Sequence, residues 1–153
     1  MTNFAKLIPE LPDWNNGKGI DVESWIGCSG DFQLAVGYST LFWTQFVEFE
    51  DYVLRSGFAV DSFRSFRQQC TGSRRDVEAV MNHLHIAAIH YHDLSSFTAE
   101  HALHLGGVLG ELYQAKLAWQ FPSRRFEVVF DESARADLMA YEITFYQSDN
   151  AAS

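Results

Sequence analysis

Residues 98–130 read TAEHALHLGGVLGELYQAKLAWQFPSRRFEVVF, and the spacing of the apolar residues changes within that stretch. From Thr98 to about Phe121 it is helical: Leu105, Leu109, Leu112 and Tyr113 share one face, Glu100 lies in the first turn where it favours the helix dipole, and Pro122 follows the end. Beyond Pro122 the spacing becomes two. Phe126, Val128 and Phe130 alternate with Arg125, Glu127 and Val129; later, Met139, Tyr141, Ile143 and Phe145 alternate with Ala140, Glu142, Thr144 and Tyr146. Such alternation marks strands with one buried face, and the connection from Asp131 to Asp137 predicts an antiparallel hairpin. Two strands alone are marginal, so helices must cover them or an earlier hairpin extend them.

Gly106 and Gly107 inside the long helix each cost ~1 kcal/mol relative to alanine, and close approach of another helix is the expected compensation. With Gly110 they form no phosphate loop, because no strand precedes them and no Lys-Ser/Thr follows.

Working towards the N-terminus, Asp31 is a natural N-cap. After it Leu34, Val36, Tyr38, Leu41, Phe42, Trp43 and Phe46 fall nearly all round a helical wheel, which predicts a helix buried on every side. Leu11-Pro12-Asp13-Trp14-Asn15-Asn16-Gly17 is turn chemistry, and Asp21 caps a short helix carrying Val22, Trp25 and Ile26. Tyr52–Leu54 and Phe58–Val60 around Ser56-Gly57 are a candidate second hairpin. Asp61 caps a helix with Phe63, Phe66 and Cys70, and Ser73 opens one with Val77, Val80, Met81 and Leu84. The expected architecture is α+β and mainly α: four to five helices packed around a long buried aromatic helix, with the C-terminal antiparallel hairpin and the second short one.

A length of 153 residues predicts one domain over 1–153, with flexible ends at 1–6 and 148–153. Cys28 and Cys70 have no partners at zinc-ligand spacing, the start lacks a signal-peptide layout, and no apolar run approaches the ~18 residues of a membrane span. A cytoplasmic protein with reduced thiols and no membrane partner is expected. A net charge of −9 argues against nucleic acid, which is bound through clustered Lys and Arg. The basic cluster Arg64, Arg67, Arg74 and Arg75 reads as a salt-bridged face.

Acids outweigh bases most in residues 1–52, where only Lys6 and Lys18 are basic. Trp43, Phe46, Phe49 and Tyr52, flanked by Glu48, Glu50 and Asp51, are therefore candidates for an acidic-rimmed aromatic patch. Aromatics not consumed by a core are what anchor protein interfaces. That patch suggests a non-enzymatic, cofactor-free inhibitory domain that neutralises a basic protein partner, as immunity or antitoxin proteins do, by fast charge-steered capture and slow release. The competing expectation is that the same aromatics are core.

All six histidines lie between His83 and His104, in the pairs His83/His85, His90/His92 and His101/His104. On one helix over 74–93 His83 and His90 would share one face and His85 and His92 the nearly opposite one, each pair ~10 Å apart along the axis, which excludes a four-histidine site there. A site from His92, Asp93, His101 and His104 remains as the alternative. Ile86-Ala87-Ala88-Ile89-His90-Tyr91-His92-Asp93-Leu94 resembles, over nine residues, the apolar stretch and His-Asp pair of HD-type metal phosphohydrolases, which implies a metal-dependent hydrolase. The chain departs from that family in having no histidine before His83, and its Asp131 and Asp137 flank a hairpin turn rather than lying in a helix.

Overall fold

Left-handed residues shape the N-terminal of two units, Met1–Ser39, in the computed structural model, which describes residues 1–133 and 135–148. The single turn α1 (Phe4–Leu7) is followed by the 3-10 turn Leu11–Asp13 and by α2 (Trp14–Gly17), in which Asn15 and Asn16 have φ of 56° and 55°. Asparagine tolerates this conformation better than other residues with a side chain, which explains the Asn-Asn-Gly run. Asp21 caps α3 (Val22–Ser29) by accepting the Ser24 N–H at 2.9 Å, and Trp25 donates its indole N–H to Glu10 at 2.7 Å. Leu11 is the one buried apolar side chain among the described residues of this unit.

The helix after Asp31 forms as α4 (Phe32–Phe42), and Asp31 caps it through the Leu34 N–H at 2.8 Å, yet no residue of it is buried. Phe32 and Val36, four apart on one face, are 91% and 65% exposed, so the expected long buried aromatic helix is shorter and lies at the surface. The helical run ends at Phe42, and Phe46 belongs to a strand. The buried central role falls to the helix Ala99–Gln120.

The second unit, Thr40–Ser153, contains two small antiparallel sheets. β1 (Phe46–Phe49) and β2 (Tyr52–Arg55) form a hairpin in the register Phe46↔Arg55 to Phe49↔Tyr52. Its two-residue turn, Glu50-Asp51, has φ of 51° and 68°, as primed hairpin turns require. The second hairpin therefore lies six residues earlier than its sequence expectation, and Phe58 leads into α5 (Val60–Gln69). Ser73 caps α6 (Arg74–Met81) through the Asp76 N–H, and the helix stops there. β3 (Leu84–His85) and a 3-10 run over Ile86–Ser96 follow it, so residues 74–93 are not one helix.

α7 (Ala99–Gln120) and β4 (Phe126–Phe130) follow the expected pattern, whereas the second strand, β5 (Glu142–Gln147), begins later than its alternation predicts because Leu138–Ala140 form a 3-10 turn capped by Asp137. Ala102, Gly106, Leu109, Tyr113 and Leu117 repeat at spacings of four and three and form the buried stripe of α7. β5 is the central strand of the order β3-β5-β4. The β1–β2 hairpin is a wall between two cores: Phe46 and Val53 face the larger, with Leu109, Tyr113 and Phe145, while Tyr52 and Leu54 face the smaller, with Phe63 and Val77.

α6 joins the sheets through polar side chains. Glu78 accepts the Val53 N–H at 2.8 Å on β2 and the Gln147 N–H at 2.6 Å on β5. Asn82 accepts the Arg55 N–H at 2.9 Å and donates to the carbonyls of Val53 at 2.9 Å and Phe145 at 3.3 Å. Both side chains are fully buried. Burial pushes the Glu78 carboxyl above its ordinary value of 4.5, against the opposing pull of the Gln147 and Val53 donors and of Arg74.

Gly106 is explained by a strand rather than a helix: a Cβ there would overlap the ring of Phe130. Gly107 and Gly110 meet nothing within 4 Å and open onto a groove bordered by Glu111, Gln114 and Glu132. The loose ends expected at 1–6 and 148–153 meet α1 on one side, while residues 149–153 lie outside the described residues.

Two stability tests follow from this packing. Gly106→Ala should lose about 1–3 kcal/mol through overpacking against Phe130, while Gly107→Ala should gain about 0.4–1 kcal/mol; urea unfolding of both variants separates the cases, and equal signs would remove Phe130 as the cause. For Glu78, the folded state keeps a proton that the unfolded state releases. Stability must therefore fall as pH rises from 4.5 through the raised value, and below 4.5 the two states bind this proton alike. Glu78→Gln should flatten that part of the pH–stability curve.

Candidate functional site

α7 turns its buried stripe inward and carries Lys116 and Trp119, three residues apart and so on neighbouring positions of one face, near its C-terminal end. Trp43 stands just after α4, before β1. The Lys116 ammonium lies 4.7 Å from the Trp43 ring centroid and 4.6 Å from that of Trp119, within cation–π range of both. The two indoles are 6.4 Å apart at 33°. Lys116 is 2% exposed, whereas Trp43 is 43% and Trp119 70% exposed. Among the described residues no carboxylate pairs with Lys116. The result is a pair of outward-facing indoles braced by a cation beneath them.

Gln120, next to Trp119, caps the outer edge of β1: its amide accepts the Phe46 N–H and donates to the Phe46 carbonyl, both at 3.1 Å. Arg124 pairs with Glu48 at 2.5 Å and lies over the Phe121 ring.

Of the aromatic and acidic residues singled out in sequence, only Trp43 presents its ring outward. Phe46 and Tyr52 are core residues at 3% and 7% exposure. Phe49 packs its ring at 5.2 Å from Phe58 and 5.3 Å from Phe63. Strand geometry explains this, because a hairpin covered on both faces buries alternate residues to either side. Glu48, Glu50 and Asp51 are exposed, but Glu48 is held by Arg124 and Glu50 by Arg67 at 2.6 Å. Trp119 was not singled out: it follows Leu112 by seven residues and so continues the apolar face of Leu105 and Leu112, and nothing in the sequence signals its exposure.

The histidines do not assemble as a hydrolase site. Among the described residues, no group of three or more His, Cys, Asp and Glu is placed to hold an ion. His92 and Asp93 are exposed in the 3-10 run, which is broken at His90 and Asp93, so the segment resembling HD-type enzymes is not an α-helix. His101 instead completes the cap of α7. Its Nδ1 accepts the Thr98 N–H at 3.2 Å while Thr98 Oγ1 accepts the His101 N–H at 3.2 Å. His104 lies one turn further along α7. His83 and His85 are anchored separately, with Nδ1 2.5 Å from the Val80 carbonyl and 2.8 Å from the Met139 carbonyl.

Two arginines of the basic cluster are engaged locally: Arg67 pairs with Glu50, and Arg75 donates to the Tyr146 hydroxyl at 2.9 Å and lies over its ring. No helix is long and apolar enough to cross a membrane among the described residues. No family model, curated protein or solved structure matches the chain.

The cap makes His101 a stability residue. His101→Gln should be tolerated, since glutamine serves the same position of a capping box, whereas His101→Ala should cost about 0.5–2 kcal/mol. Thermal unfolding of the two variants measures the difference, and an equal loss in both would assign His101 some other role.

Proposed function

We propose that this protein acts without catalysis by binding and occluding another protein, as an immunity or antitoxin protein does with a toxic enzyme. The observation that carries the reading is the exposed pair Trp43 and Trp119, braced over Lys116. Tryptophan is among the residues most enriched at the energetic centres of protein interfaces. A large rigid aromatic already held in place spares the partner the ordering cost of docking against it. The charge of −9 favours a basic partner, drawn in by the field of the whole molecule before the indoles engage. A cytoplasmic setting with both thiols reduced belongs to the same reading, as does the absence of nucleic acid and membrane from the list of partners.

The test uses immobilised wild-type protein and Trp119→Ala against a cell lysate, with captured proteins identified by quantitative mass spectrometry. The expected outcome is a basic protein held by the wild type and lost by the variant. With the purified partner, loss of a central anchor worth about 2 kcal/mol should weaken binding roughly 30-fold. Trp119 is largely exposed, so the variant should unfold at nearly the wild-type denaturant concentration. Identical capture by wild type, Trp119→Ala and Trp43→Ala would overturn the proposal.

A further inference from the structure

We propose that His83 and His85 form a two-imidazole site for a zinc ion. Both Nδ1 atoms face carbonyl oxygens, Val80 at 2.5 Å and Met139 at 2.8 Å. A carbonyl only accepts, so each Nδ1 carries a proton, and the tautomer this selects is the one whose lone pair lies on Nε2. That is how proteins prepare histidine ligands: the nitrogen away from the metal donates to a carbonyl or carboxylate, fixing tautomer and ring orientation. His85 has a second such group behind it, because the Glu142 carboxylate, its cross-strand neighbour on β5, lies 3.7 Å from the same Nδ1.

The ring spacing accommodates a shared ion with both Nε2 atoms turned to it. Their centroids are 5.2 Å apart with planes at 82°. With Zn–N bonds of about 2.1 Å at a tetrahedral angle, the centres of two Nε2-bound imidazoles stand about 5 Å apart. The spacing arises because α6 ends at Met81 and the chain becomes extended, where residues i and i+2 share a side. His83 is exposed and the side chain of His85 is 40% exposed, so an ion has access from solvent. Two protein ligands leave two coordination positions to water or to a donor group from a bound molecule. Imidazole donors select the borderline divalent ions, zinc among them, over magnesium or calcium.

The experiment is a calorimetric titration of untagged protein with zinc chloride in a non-coordinating buffer, alongside His83→Asn, His85→Asn and His92→Ala. Asparagine keeps a side-chain N–H for the carbonyl and deletes Nε2, so the fold, checked by circular dichroism, is retained. The expected result is one equivalent of zinc for wild type and His92→Ala, at least about 10-fold weaker binding in each asparagine variant, and zinc-dependent shifts of the Nε2 resonances of His83 and His85 in a long-range proton–nitrogen spectrum. Absence of zinc binding by the wild type, or binding unchanged in both asparagine variants, would overturn it.

Discussion

Backbone groups on the facing edges of β2 and β5 must find partners away from water, and the side chains of α6 supply them. A two-strand hairpin and a three-strand sheet with a two-residue outer strand are each too narrow to be stable alone. Glu78 and Asn82, one turn apart, reach both edges at once and do the work a missing strand would do. Removing either would strand several buried N–H or C=O groups, each costing about 1–3 kcal/mol. Thr144 adds a further tie by donating to the Ala79 carbonyl at 2.6 Å. The burial of a carboxylate is tolerated because three donors converge on it, the third being the Gln147 side-chain amide at 2.5 Å.

The same device recurs at the other edge of the hairpin, where Gln120 satisfies both backbone groups of Phe46. α7 thus has two duties. Its inner stripe fills the larger core, while its last turn seals β1 and sets Lys116 and Trp119 beside Trp43. The position of the indole pair is therefore fixed by core packing and edge capping together. An ammonium at 2% exposure loses most of its hydration. Two aromatic faces return part of that loss, about 0.5–2 kcal/mol each, so the indoles and the cation hold one another in place.

Much of this was legible where the sequence states its period plainly. The stretch 98–147 announces a helix with Pro122 at its end and then two alternating strands, and Ser73 and Asp21 announce their helices. The hairpin at 46–55 was not legible, because its turn is Glu50-Asp51 rather than the usual Asn-Gly or Asp-Gly, and its apolar residues continue a run already helical in α4. Misplacing that turn assigned Phe46, Phe49 and Tyr52 to a surface patch, although three of four residues in β2 proved to be buried. Trp43 was found as a candidate and Trp119 was not, since exposure on a helix follows from which face the core claims. The histidine pairs were legible as a cluster, but their geometry depended on α6 ending at Met81, which the helical spacing of Val77, Val80, Met81 and Leu84 disguises by running on past the end of the helix.

Charge and aromatic content act at different ranges in this molecule. The negative charge is a property of the whole chain: on the hairpin Glu48 and Glu50 are paired with arginines, while Asp51 stays exposed. Under the proposed function, attraction of a basic partner would draw on that overall charge and fade over about 8–10 Å in physiological salt. Under the same proposal, short-range affinity would come from desolvating the rigid apolar surface of the braced indoles. Steering would then survive loss of a single acidic residue, whereas retention would depend on the two tryptophans and the lysine between them.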